Sequence, residues 1–191
     1  MKTLMKNMKK KQNELGIPAD KLLIFEGIID KYFVSGRHSR EGDNKFMKAI
    51  YEHLTREQRF RLWERWGGCC GTGHDKERKM FALEHAELPL TERLELFLDT
   101  IGKRSTKTQS VVLDEENKTI TVTFDCHECY ERSIKKITTA PFITYYESCA
   151  GGRLYVLEKS LGIKLRIKKV DIPKSGISKE NPCMFTFDIV E

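Results

Sequence analysis

The strongest constraint in this sequence is a change of hydrophobic period near its middle. Between Leu22 and Ile101 the apolar residues recur every three or four positions, the spacing of one helix face. After Val111 they alternate with polar residues, as in strands that bury one face, except in one helical stretch at 147–161. We therefore predict an α+β fold in which a helical part at residues 1–103 packs on an antiparallel β-β-α-β-β part at residues 110–191. The two parts could together form one compact domain.

Capping and turn signals place the boundaries of these elements. Thr55 and Gln58 have the spacing of a capping box and predict that a helix begins after Thr55. Residues 103–109 are charged or polar and predict a linker before the sheet. Residues 114–118 predict the turn of a hairpin, and Gly162 predicts the left-handed end of the helix that covers the sheet.

The charge distribution argues against a nucleic-acid partner. The chain has 34 basic and 28 acidic residues, but five of its lysines lie in the first twelve residues, where there is no acid. The rest is therefore close to neutral and lacks the excess of basic residues that tracks phosphates. We expect the lysine-rich end to be a frayed, solubilising tip.

Hydrophobic runs are short throughout the chain. No stretch of 18 apolar residues could span a bilayer, and the first residues are interrupted by charge, unlike a secretory signal. We expect no membrane partner and a cytoplasmic protein whose six cysteines are reduced. Such cysteines bind metal, act in catalysis or are simply buried.

Four cysteines of the second part predict a structural zinc site. Cys126 continues the inward-facing row of one strand, and Cys183 begins the inward row of another. Cys129 follows Cys126 at C-x2-C spacing, and Cys149 lies near the start of the covering helix. Four sulfurs from these positions could hold a tetrahedral zinc ion. Two alternatives stay open, namely free buried thiols, which pack as small apolar groups, and a redox or catalytic pair.

The segment from Cys149 to Val190 resembles the end of 4-vinyl-reductase-like domains, which also occur in aromatic-sensing bacterial transcription activators. A similar carboxyl end is found in aminothiazoline-carboxylate hydrolase-like proteins. The resemblance implies a helix-covered antiparallel sheet around a small-molecule pocket, often beside a structural zinc. Cys149 and Cys183 match two cysteines of that pattern, and Cys126 lies near a third. The family usually has a further cysteine near the position of Ser175. Either Cys129 replaces it here, or the chain binds no metal.

A glycine-rich segment between two predicted helices is the second candidate site. It runs from Trp66 to Asp75 and contains Cys69, Cys70 and His74. Its glycines would let backbone N–H groups approach a ligand at the start of the next helix. Cys69 or Cys70 could serve as a nucleophile with His74 as its base. The alternative is a glycine-rich turn with a buried cysteine.

From these features we expect a protein that binds a small, partly apolar molecule between the helices and the sheet. The candidate ligand contacts are Trp66, Cys70, His74, Tyr145 and Tyr146, with an aromatic core as the alternative for the tyrosines. A cysteine-dependent hydrolase of a small amide or cyclic substrate is the competing hypothesis, and Cys149 is a further candidate nucleophile for it. Association of two copies as a homodimer is also left open.

Overall fold

A computed structural model describes residues 2–33, 40–66, 72–103, 107–126, 142–173, 178 and 180–190. It confirms the α+β class. The described residues form eight α-helices: α1 (Lys2–Lys10), α2 (Gln12–Leu15), α3 (Ala19–Tyr32), α4 (Arg40–His53), α5 (Arg56–Arg65), α6 (Asp75–Glu84), α7 (Leu90–Phe97) and α8 (Phe142–Leu161). A 3-10 turn (Thr72–His74) precedes α6, and a π-helical turn (Leu98–Gly102) extends α7.

The described residues also contain four strands, which form one antiparallel sheet in the order β1-β2-β4-β3. They are β1 (Thr108–Asp114), β2 (Thr119–Phe124), β3 (Lys164–Asp171) and β4 (Cys183–Val190). The first and second strands form the predicted hairpin. The third and fourth follow α8, which covers one face of the sheet, so β1 and β3 are the two edge strands.

The predicted boundary signals at Thr55 and Gly162 are confirmed. The Thr55 hydroxyl accepts a hydrogen bond from the Gln58 N–H, and the Gln58 side chain accepts one from the Thr55 N–H. Gly162 ends α8 with φ of +67°. Two boundaries differ from the prediction: α8 begins five residues before Glu147, because buried Tyr146 extends its apolar stripe, and β1 begins at Thr108, inside the predicted linker.

The lysine-rich amino end is a helix, so the prediction of a frayed tip is wrong. In α1, Met5 and Met8 are buried three positions apart on one face, while the lysines described nearby are exposed. Three-residue spacing places the two methionines side by side against the core. One lysine of this helix, Lys9, also forms an ion pair with Glu26 of α3.

One part of the core lies between α8 and the inner face of the sheet, as the period-two pattern predicts. Ile120, Val122, Phe185 and Phe187 are fully buried on this face. Thr121 and Thr186, on the opposite face, are half-buried and hydrogen bonded to each other at 3.2 Å. None of the helices in the described ranges has the length and apolar character needed to cross a bilayer.

A close contact fixes α5 against α8. The Arg59 guanidinium donates two hydrogen bonds to the Glu147 carboxylate, at 2.7 and 2.9 Å, and both side chains are almost completely buried. One turn further along α8, Gly151 lies directly against the backbone of Trp63, where a Cβ atom would overlap the carbonyl group. This contact determines where the carboxyl end of α5 meets the sheet.

Candidate functional site

Two of the predicted zinc ligands meet, but as a disulfide. Cys126 follows β2 and Cys183 begins β4, at the point where Phe124 pairs with Cys183. Both cysteines are completely buried, and their Cα atoms are 6.5 Å apart, within the range that a disulfide spans. The structure joins their sulfurs in a bond. The two sulfurs thus lie together in the fold and are joined to each other as a disulfide, and their role as zinc ligands stays a prediction.

The other two predicted ligands do not complete a metal site in the described residues. Cys149 is half-buried in the second turn of α8. It lies one turn before Arg153, whose guanidinium is 4.2 Å from the centre of the Phe124 ring, so the amino half of α8 faces the sheet end that carries the disulfide. Cys129 lies outside the described residues. Within those residues, no group of three or more His, Cys, Asp or Glu side chains could hold a metal ion.

The predicted aromatic ligand contacts belong to the packing around α8. Tyr146 is completely buried, and Trp66 is half-buried at the end of α5. The half-buried Tyr145 donates its hydroxyl to the Asn44 side chain of α4 at 3.0 Å. Burial and, to a lesser extent, the Asp43 carboxylate hold the pKa of Tyr145 well above its usual value. Tyr145 therefore acts as a neutral hydrogen-bond donor between two helices.

The glycine-rich segment is only partly described. Cys69 and Cys70 lie outside the described residues, so their nucleophilic role stays a prediction. His74 is exposed just before α6, with its Nδ1 atom 3.3 Å from the Glu77 carboxylate. The next residue, Asp75, accepts a hydrogen bond from Tyr155 of α8 at 2.5 Å, which raises the pKa of that tyrosine. This contact ties the start of α6 to the covering helix.

A cleft of about 660 Å³ lies between the helices and the β3 edge of the sheet. Its volume is within the range of small-molecule sites. Five buried apolar side chains contribute to its lining: Leu15, Phe60, Leu154, Leu165 and Ile167. The remaining lining residues are charged: Glu14, Glu57, Arg61, Glu64, Arg65, Glu158, Lys164, Arg166 and Asp188. None of the predicted ligand contacts is among them.

Two helix carboxylates cover the backbone of β3 inside this cleft. The Glu64 carboxylate, on α5, accepts the Ile167 N–H at 2.7 Å, and the Glu158 carboxylate, on α8, accepts the Leu165 N–H at 3.0 Å. Because β3 is an edge strand of the described sheet, no strand in the described ranges pairs with these N–H groups. Side chains from the helices therefore complete the hydrogen bonding of the edge.

The electrostatic environment of Glu64 is unusual for a glutamate. Burial raises the pKa of its carboxyl group, although the Ile167 N–H and the nearby Arg166 oppose that shift. The negative charge of Glu158 raises the pKa further. Glu64 is thus a half-buried acid with an increased affinity for its proton, placed in a cleft.

Most of the cations around the cleft are already paired. Arg65 donates to Glu14 at 2.8 Å, and Arg61 donates to Glu57 at 2.5 Å. Lys164 is 3.9 Å from Glu158. Arg166 is exposed and forms no ion pair with any residue that the structure describes. Its guanidinium is therefore available to a ligand.

Sequence reasoning missed Glu64 and Glu158. Both follow a buried apolar residue by four positions, Phe60 and Leu154 respectively, so both extend the apolar face of their helix. A glutamate at a position on the apolar face of a helix indicates that its carboxylate has a partner inside the fold.

Comparison of the chain with protein-family models, with curated proteins and with solved structures finds no match. The resemblance to 4-vinyl-reductase-like domains therefore stays a prediction.

Proposed function

We propose that this protein binds a small, partly apolar molecule in the cleft between α5 and β3. The observation that carries the proposal is a cleft of suitable volume with a buried apolar lining and two converging polar groups, Glu64 and Arg166. Binding sites for small molecules combine such apolar surfaces with a few polar groups that fix orientation. The apolar part of the ligand would pack on Phe60, Leu154 and Ile167.

The two polar groups set the ligand chemistry that the cleft accepts. Arg166 offers N–H donors to an acceptor or an anion. Glu64 uses one carboxylate oxygen for the Ile167 N–H, and its other oxygen can accept from the ligand or, when protonated, donate to it. A molecule with an apolar body and one polar end fits this arrangement.

Amide chemical shifts would test the proposal directly. A fragment mixture of small aromatic and aliphatic acids, amides and amines is titrated into isotope-labelled protein. We expect binders to shift the Leu165 and Ile167 amides. Arg61→Trp should fill the cleft from its exposed rim and abolish these shifts, whereas Arg40→Trp, at an exposed arginine of α4, should leave them unchanged. Shifts confined to other regions, or equal binding by Arg61→Trp, would refute the cleft as the site.

We further propose that Cys126 and Cys183, when their disulfide is reduced, are ligands of a zinc ion. Reduction would give two buried thiols at adjacent strand ends, and Cys129 and Cys149 are the remaining candidate ligands. Soft thiolates favour zinc, and a bound ion would stabilise this end of the sheet. In this role zinc would be structural and would supply no reactive group to the cleft.

The zinc and disulfide states can be distinguished by counting thiols. If zinc is bound, protein purified without reductant should contain about one zinc per chain, and all six cysteines should titrate after denaturation with a chelator. If the disulfide is the native state, at least two fewer cysteines should titrate, because Cys126 and Cys183 are bonded to each other. Zinc-free protein with that lower count would reject the zinc proposal.

A further inference from the structure

The outer edge of β1 carries backbone groups with no partner strand. Within the described residues, Val111, Val112 and Leu113 pair with β2 and with no other strand. In an antiparallel pair, a strand directs only part of its N–H and C=O groups toward its neighbour. The remaining groups of β1 therefore point away from the sheet. Such an edge is a template for pairing with another strand.

The side chains of β1 do not protect this edge. Residues 109–113 contain no charge and no proline, the usual devices that prevent pairing between edges. Val112 is 58% exposed on the face of the sheet opposite α8. From Ser110 to Leu113, past an irregularity in the pairing with β2 between Thr108 and Ser110, the strand is thus uncharged and partly apolar at its exposed edge.

The charges that flank β1 are complementary to those of a second copy. Lys107 precedes the strand, while Asp114, Glu115 and Glu116 end it. When two copies of one strand pair in antiparallel orientation, the amino end of each lies beside the carboxyl end of the other. A pairing centred on Val111 brings the end of one copy that carries Lys107 near the acidic end of the other, Asp114 to Glu116, twice per dimer. Opposite charges across a strand pair are favourable.

We propose that two copies of this chain associate through β1, antiparallel and edge to edge, so that two four-stranded sheets become one sheet of eight strands. Twofold symmetry makes the interface self-complementary, as in most homodimers. The backbone hydrogen bonds supply the pairing, and the flanking charges select the antiparallel register. This proposal is independent of the cleft and of any ligand.

Sedimentation velocity over a wide range of protein concentrations, with reductant present, tests the proposal. We expect the wild-type protein to dimerise. Val112→Lys places a charge on the exposed edge of both copies and should weaken dimerisation by about tenfold or more. Leu83→Lys makes the same change at another exposed apolar residue, on α6, and should dimerise like wild type. A circular-dichroism melt checks that both variants are folded.

A charge exchange tests the register. Glu115→Lys should weaken the dimer because it brings a like charge to the end of the interface that carries Lys107, and adding Lys107→Glu should restore it. A wild-type protein that stays monomeric at every concentration, or a Val112→Lys variant that dimerises normally, would overturn the proposal. A dimer that Glu115→Lys does not weaken would overturn the register centred on Val111.

Discussion

The two edges of the sheet are completed in different ways. At β3, carboxylates from α5 and α8 accept the outward N–H groups of Ile167 and Leu165. At β1, the backbone of residues 111–113 has no such acceptor within the described part of the chain. An edge strand needs a partner for its backbone, and helices can supply one from their own side chains.

The same difference assigns the two proposed roles to different edges, ligand binding to β3 and dimerisation to β1. Covering β3 with charged side chains from two helices creates a cleft lined by both charged and apolar side chains, which fits the small molecule proposed above. At β1, the backbone of residues 111–113 keeps an edge that no described strand pairs with, which suits another strand. Helix α5 lies beside β3 and supplies Glu64, which accepts a backbone N–H of that strand. Perturbing α5 is therefore the most direct test of the difference between the two edges.

Removing one partner of the buried Arg59–Glu147 pair should have the largest effect. Arg59→Met leaves the Glu147 carboxylate buried without its cation, and we expect a loss of about 3–5 kcal/mol in the free energy of unfolding, measured by urea denaturation. The double variant Arg59→Met/Glu147→Met should recover much of that loss, because no isolated charge remains. A single variant as stable as wild type would show that the pair does not hold α5 in place.

A methyl group at Gly151 should separate the same two helices by steric overlap. Gly151→Ala forces its Cβ into the backbone of Trp63, and we expect a loss of about 3 kcal/mol in the free energy of unfolding. Gly27→Ala is the matched control in α3, because a Cβ there meets no atom within 4 Å. It should raise stability by about 0.5–1 kcal/mol through helix propensity. Equal stability changes in both variants would contradict the close α5–α8 contact.

Removing the carboxylate over β3 should make that edge resemble β1. Glu64→Ala leaves the Ile167 N–H without its acceptor, with an expected cost of about 1–2 kcal/mol. Hydrogen exchange at the Ile167 amide should accelerate. The Leu165 amide donates its hydrogen bond to Glu158 instead, so it serves as the internal control and should exchange as in wild type. Unchanged exchange at Ile167 would show that Glu64 does not protect this edge.

The topology could be predicted because local patterns determine it. The change from helical to alternating period separates the helices from the sheet, and the Thr55–Gln58 capping box and Gly162 locate element ends through contacts within a few residues. The inward direction of Cys126 and Cys183 follows from strand alternation in the same way. Local pattern also extends to α1, where the spacing of two methionines indicated a buried face that the lysine count obscured.

The site could not be predicted in the same way because it depends on strand order. The bond between Cys126 and Cys183 requires that β2 lie beside β4, a pairing of strands separated in the sequence by α8 and β3. The position of Glu64 on the apolar face of its helix shows that it faces inward. Its partner, the Ile167 N–H, is free of strand pairing only because β3 is at the edge of the described sheet. Residues 66–75 are distinctive in composition, whereas the cleft is formed by residues with no distinctive sequence pattern that packing brings together.

The pH dependence of stability should give the smallest effect and the most specific one. Burial raises the pKa of Glu64 above its ordinary value of 4.5, so the folded protein holds this proton more tightly than the unfolded chain does. The stability that the proton contributes is fully present below pH 4.5 and is lost as the pH rises through the raised pKa. Gln at this position keeps an acceptor for the Ile167 N–H but does not ionise. Glu64→Gln should therefore gain stability relative to wild type as the pH rises from below 4.5 toward neutral, and the difference should then stay constant.

Urea denaturation of both proteins across this pH range measures that difference. Glu84→Gln, at an exposed position of α6, is the control for removing one carboxylate, and its curve should run parallel to that of wild type. A Glu64→Gln difference that does not change with pH would mean that the carboxyl group is as well solvated in the fold as in the unfolded chain. The β3 edge would then be as open to water as the β1 edge, and the contrast between the two edges would have no electrostatic component.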